Sequence, residues 1–199
     1  MRSAALERLA RQVRRRAEGQ PCDVCGAPVP DEHRHVLDLG RRELMCACRA
    51  CAVLFDRDAA GGDHLRLVPQ RRQRLEPVPT ADLGVPVGLA FFTIQSDGAV
   101  VAHYPSPAGA AEWEVDPHIW QEVVDRHAQL GTMAREVEAL LVNTARGQRE
   151  HWIVPVEDCF RLIAVVRREW SGLSGGSTVW PAIEQFFAAL AEDGRSCNG

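Results

Sequence analysis

The stretch CDVCGAPVPDEHRHVLDLGRRELMCACRAC, residues 22–51, holds five of the seven cysteines in a chain of 199 residues. They fall as Cys22-x-x-Cys25 and Cys46-x-Cys48-x-x-Cys51. Two intervening residues let a pair of thiolates face one ion while the backbone turns around them. Gly26 suits the tight turn after the second sulfur. Two such pairs, brought together by a hairpin, make the tetrahedral four-thiolate set that zinc prefers. The predicted ligands are therefore Cys22, Cys25, Cys48 and Cys51. The order of knuckle, hairpin and pair at the start of a short helix predicts a small module of treble-clef or ribbon type. A helix start also offers N–H groups that keep thiolates charged.

Three further residues compete for a role. Cys46 lies two positions before Cys48, so on a strand both would face one way. It could replace Cys48 as ligand, support the ligands from behind, or simply pack. His33 and His35 are alternative ligands or supporting hydrogen-bond partners. Cys159 falls on the apolar face of a helix, and Cys197 in a polar tail. Iron is the rival metal. Rubredoxin holds one iron by two such knuckles, each usually followed by glycine; here Cys25-Gly26 fits that pattern and Cys51-Ala52 departs from it.

Outward from this stretch, residues 1–20 read as an Arg-rich amphipathic helix with a stripe of Leu6, Leu9, Val13 and Ala17. Residues 21–68 form the cysteine-rich module. "HRHVLDL" and "ELMCA" alternate as strands around Gly40-Arg41-Arg42, and "HLRLVP" reads as another. Residues 69–83, with three prolines and three arginines, lack periodicity and read as a linker. Residues 84–193 read as an α+β domain with helices packed on a mostly antiparallel sheet, followed by a tail, 194–199. Its expected strands are "VPVGLAFFTI", "AVVAHYP", the end of "PSPAGAAEWEV" after a loop, "VEALLVNTA" and "EHWIVP". Asp116 caps a helix with Pro117 at its first position. Two further helices, from Pro155 to Trp170 and from about Val179, carry wide apolar stripes that need a sheet to cover them.

Apolar residues make up 46% of the chain and charged residues 25%, an ordinary globular mix. All 23 basic residues are arginine. Residues 1–78 hold 15 arginines against 11 acids, and residues 79–199 hold 8 against 16. The acidic rear half repels a phosphate backbone, and the front excess is modest beside that of nucleic-acid binders. No apolar run reaches the roughly 20 residues that span a bilayer, and the N-terminus lacks a signal-type apolar core. The expected compartment is the cytoplasm, where thiols stay reduced and clustered cysteines hold metal rather than form disulfides. "SGLSGGST" lacks the lysine and spacing of a phosphate loop. The acids Glu136, Glu138, Glu157 and Asp158 show no spacing that singles out an acid/base pair. His103, Tyr104, Trp113 and Trp120 read as an aromatic edge to the core. No nucleophile–base signature stands out, so a non-enzymatic protein is expected.

"CDVCGAPVPDEHRHVLDL", "CACRACAVLFDRDAAGG", "AFFTIQSDGAVVAHYPSPAGA", "ALLVN", "CFRLIAVVRREWSGLSGG" and "IEQFFAAL" resemble an uncharacterised actinobacterial family encoded near genes for uptake [NiFe]-hydrogenases and their maturation. The resemblance covers about residues 20–193. It implies an accessory role for a hydrogenase, in assembly or in metal or electron handling, with hydrogenase subunits or maturation factors as partners. It supplies no catalytic residues. The readings that stand beside it are a rubredoxin-like iron carrier and a nucleic-acid-binding zinc module using the arginine helix.

Overall fold

The protein was analysed as a computed structural model that describes residues 20–56, 64–81, 83–84, 88–172 and 176–196. The Arg-rich helix read over residues 1–20 lies outside the described residues except for Gln20, and so does Cys197. The chain divides between Val68 and Pro69 into two compact units. Its class is α+β.

The first unit is built from short antiparallel pieces. β1 (Gln20–Pro21) pairs with β2 (Pro28–Val29) across the turn that carries Cys22 and Cys25. β3 (Arg34–Asp38) pairs with β4 (Glu43–Ala47), with His35 opposite Cys46. Asp38 holds the connecting turn by accepting from the N–H groups of Gly40 and Arg41. α1 (Arg49–Val53) follows, and β5 (Leu65–Leu67) adds to the free side of β3. Knuckle, hairpin and helix thus follow in the order the cysteine spacing requires. The apolar interior here is slight: Val36, Ala47 and Ala52 form one cluster, and Cys22, Val29, Cys46 and Cys51 another.

The second unit centres on a six-stranded antiparallel sheet. Its strands are β6 (Gln73–Arg74), β7 (Leu89–Ile94), β8 (Val100–Ser106), β9 (Gly109–Glu114), β10 (Glu138–Asn143) and β11 (Glu150–Pro155), in the spatial order β6-β11-β10-β7-β8-β9. The sheet is covered on both faces, which explains why its central strands read as unbroken apolar runs. Strand residues alternate sides, so Phe92 and Ala90 enter one core while Phe91 and Leu89 enter the other. On the first face, Leu140, Val142 and Ile153 meet Trp120 and Val123 of α2 (Pro117–Arg126). On the second, Leu141, Trp152 and Val154 meet α3 (Val156–Glu169) and α4 (Val179–Ser196) through Leu162, Val166, Ile183 and Phe187. Asp116 caps α2 by accepting from His118 N at 2.8 Å, with Pro117 at the first helical position. The helix ends at Arg126 and gives way to a 3-10 segment, Ala128–Thr132.

Residues 69–83 do more than join the two units. Gln73 and Arg74 pair with Ile153 and Trp152 as the edge strand β6. The Arg71 guanidinium donates to both carboxylate oxygens of Glu138, at 2.9 and 2.7 Å. Arg72 grips Asp158 in the same two-pronged way, at 2.7 and 3.1 Å. Asp158 is fully buried and Glu138 nearly so. Burial lowers the tendency of Arg72 to hold its proton, yet the Asp158 carboxylate outweighs it and leaves Arg72 above its ordinary value. Arginine's planar fork matches a carboxylate, which is why arginine serves here. Glu138 and Asp158, which showed no partner by spacing, find theirs more than sixty residues upstream.

Candidate metal centre

Gly26 has a φ of +77°, the left-handed conformation that a side chain disfavours, and its N–H bonds back to the Cys22 carbonyl at 2.8 Å. This closes the first knuckle and turns Cys22 and Cys25 toward one side. The second pair is set by the helix start. Cys48 is the residue capping α1, and its sulfur accepts from Cys51 N at 3.4 Å. Asp23 stitches the two halves together. Its carboxylate accepts from Cys46 N at 2.6 Å, and its own N–H donates to the Cys46 carbonyl at 2.8 Å. Asp23 had no part in the sequence-based prediction; an acid directly after the first knuckle cysteine was the only available signal.

The ligand atoms of Cys22, Cys25, Cys48 and Cys51 all lie within 4.8 Å of one another. The Cys25 and Cys48 sulfurs are 3.8 Å apart. Two sulfurs bound about 2.3 Å from one ion at the tetrahedral angle would be separated by about 3.8 Å. The four thiols share protons unequally. Burial alone would push the Cys22 thiol up, but backbone N–H groups of Cys48, Cys25 and Val24 outweigh it and hold it at about 6. Cys51 is pushed up to about 12, first by hydrogen bonds with Cys25 and Cys48 and then by burial. One sulfur ready to be an anion beside another that resists is the behaviour of crowded thiols with no cation among them. A metal ion removes that conflict by letting all four ionise. The arrangement can therefore hold a metal ion.

Cys46, His33 and His35 do not join this group. They form a second one, with ligand atoms also within 4.8 Å of one another. Cys159 is buried on α3 in the second unit, far from the other cysteines in sequence, and burial pushes its thiol well above the ordinary value. The aromatic residues near β8 serve the core. His103 stacks on Phe91 at 4.5 Å and shares a hydrogen bond with Thr93 Oγ1 at 2.9 Å. Trp120 is buried near Phe92, and only Trp113 stands exposed. No helix among the described residues is long and apolar enough to cross a membrane.

No curated protein and no solved structure matches the chain. A family model does, over residues 21–194, which takes in both the four-cysteine centre and the double-covered sheet. The chain belongs to that family, a family of unknown function (DUF5947).

Proposed function

We propose that this is a non-enzymatic zinc-binding accessory protein that works through protein–protein contacts, with a [NiFe]-hydrogenase or its maturation factors as the client. The observation that carries the zinc reading is the four-sulfur group with its 3.8 Å Cys25–Cys48 separation. Four thiolates fill a tetrahedral shell and leave no position for substrate or activated water, as in structural rather than catalytic zinc sites. The ion would hold two short hairpins and a five-residue helix in place, so that the module presents a fixed surface. The hydrogenase client rests on the resemblance of the chain's phrases alone.

Metal analysis of protein purified from its host without added metal tests the first part. One zinc per chain and a colourless protein are expected. A red protein with one ferric iron per chain would replace this reading with an electron carrier. A pull-down from the native host tests the client. Recovery of hydrogenase subunits or maturation factors is expected, and their absence removes the client while leaving the zinc site. Salt-steep nucleic-acid binding that disappears when Arg14, Arg15 and Arg16 are changed to alanine would overturn the protein–protein reading.

A further inference from the structure

We propose that His33, His35 and Cys46 form a second metal site, open at one coordination position, for a borderline divalent cation such as zinc or cobalt. Its ligands are distinct from the four cysteines, although both groups lie in the same small unit.

The first support is convergence. His35 sits directly opposite Cys46 in the β3–β4 register, and His33 lies two residues before His35 along the extended chain. The two imidazole centroids are 4.6 Å apart, with their planes tilted by 55°. Cys46 is buried and both histidines are half-buried. The Cys46 sulfur accepts from Gln20 Nε2 at 2.9 Å, a contact that fixes where the sulfur sits.

The second support is the state of His33. Its Nδ1 lies 2.9 Å from the Pro30 carbonyl oxygen and 3.1 Å from that of Asp31. Carbonyl oxygens only accept, so Nδ1 carries the proton. In the neutral ring Nε2 then bears the lone pair. That atom is buried and has no hydrogen-bond partner among the described residues. A buried acceptor left without a donor is costly, and native proteins seldom keep one without a reason. A metal ion satisfies it. Histidine ligands ordinarily donate their second ring N–H to a carbonyl, which fixes tautomer and ring orientation, and His33 is already held that way.

The donor set indicates the ion. Two imidazoles and one thiolate favour zinc, cobalt, nickel or copper over magnesium and calcium. Three protein ligands leave a fourth position for water or an incoming ligand, unlike the closed four-sulfur group. Binding there is therefore expected to be weaker and exchangeable.

The test uses the full chain, stripped of metal under reducing conditions, and zinc or cobalt(II) alone as the probe. Equilibrium dialysis should give two zinc ions per chain at saturation for the unaltered protein, one held at least about tenfold more weakly. The His33→Ala/His35→Ala protein should hold one, with the intense sulfur-to-cobalt absorption of the four-cysteine centre unchanged. Cys46→Ser should lose the same ion. Cys22→Ser should lose both ions, because the strands that carry the second site fold around the first, whereas the histidine variant loses only one; that asymmetry separates failure of one site from failure of the other. A measurement on the unaltered protein guards against variants that misfold. The second cobalt equivalent should produce a paramagnetically shifted, solvent-exchangeable proton from His33 Nδ1–H. A single zinc per chain at saturation, two ions retained in the double histidine variant, or no such proton would each overturn the proposal.

Discussion

The two units are held together by opposite means. In the second, a sheet is buried on both faces, and the interior is supplied by Phe91, Phe92, Leu140, Leu141, Ile153 and Leu162, all essentially inaccessible. Among the described residues of the first, the buried apolar side chains are mostly small, with Leu37 the largest, and cysteine sulfur fills part of that interior. The apolar area that stabilises a domain at about 25 cal/mol per Å² is plentiful in one and scarce in the other. A small unit of this kind can draw folding free energy from an ion. The comparison teaches that one chain can place a unit rich in buried apolar area next to one whose interior is partly thiols able to hold a metal ion.

The largest break in that contrast comes from the thiols. Cys51→Ser, or a strong chelator, should abolish the cooperative unfolding transition of residues 20–68 while the second unit keeps its own. Calorimetry with and without chelator checks this, and a single transition that vanishes as a whole would show that the units share their stability. Next in size is the choice of fragment boundary. A fragment of residues 69–199 should melt cooperatively, whereas residues 84–193 should be weaker by several kcal/mol. The shorter piece leaves Glu138 and Asp158 buried without Arg71 and Arg72 and removes β6. Equal stability of the two fragments would return residues 69–83 to the status of a tether.

Those residues also show where sequence reading stops. The central strands were legible because double-sided burial leaves unbroken apolar runs, and α2 because Asp116 and Pro117 mark its start. β6 was not, because two polar residues carry no periodicity. Its place depends on carboxylates that become partners only after β10 and α3 have folded. The cysteine pairs were legible by spacing, since local geometry alone turns two sulfurs to one side. Whether Cys46 or Cys48 joins the first pair was not. That depends on β4 ending at Ala47, so that Cys48 caps α1 while Cys46 stays opposite His35.

Smaller effects sharpen the picture of the second unit. Arg72→Ala should cost about 3–5 kcal/mol by leaving Asp158 buried, with Arg161, which is largely exposed, as its remaining close cation. Chemical denaturation reads this directly, and Arg72→Lys should recover only part of it. The smallest expected effect is a dependence on pH. Burial holds His151 below its ordinary value of 6.5, and its Nδ1 accepts from Val78 N at 3.3 Å, so the folded state keeps it neutral. As pH falls below about 6.5 the unfolded chain takes up a proton that the folded chain refuses. Stability should therefore decline on acidification, by at most about 1.4 kcal/mol per pH unit, and this contribution should be flat above 6.5. His151→Gln should flatten the slope, and an unchanged slope would assign the effect to other groups.

The four thiols of the metal centre differ in how far solvent reaches them. Cys22 and Cys51 are covered, Cys48 is half-covered, and Cys25 is open. Ligands at a filled tetrahedral centre are replaced one at a time, so an incoming chelator or thiol meets Cys25 first. Peroxide meets the same sulfur first, and its oxidation would open the shell from that corner. Tightness and lifetime are thereby assigned to different residues. The covered sulfurs and the N–H groups around them would govern how firmly an ion is held, and Cys25 would be where its release begins.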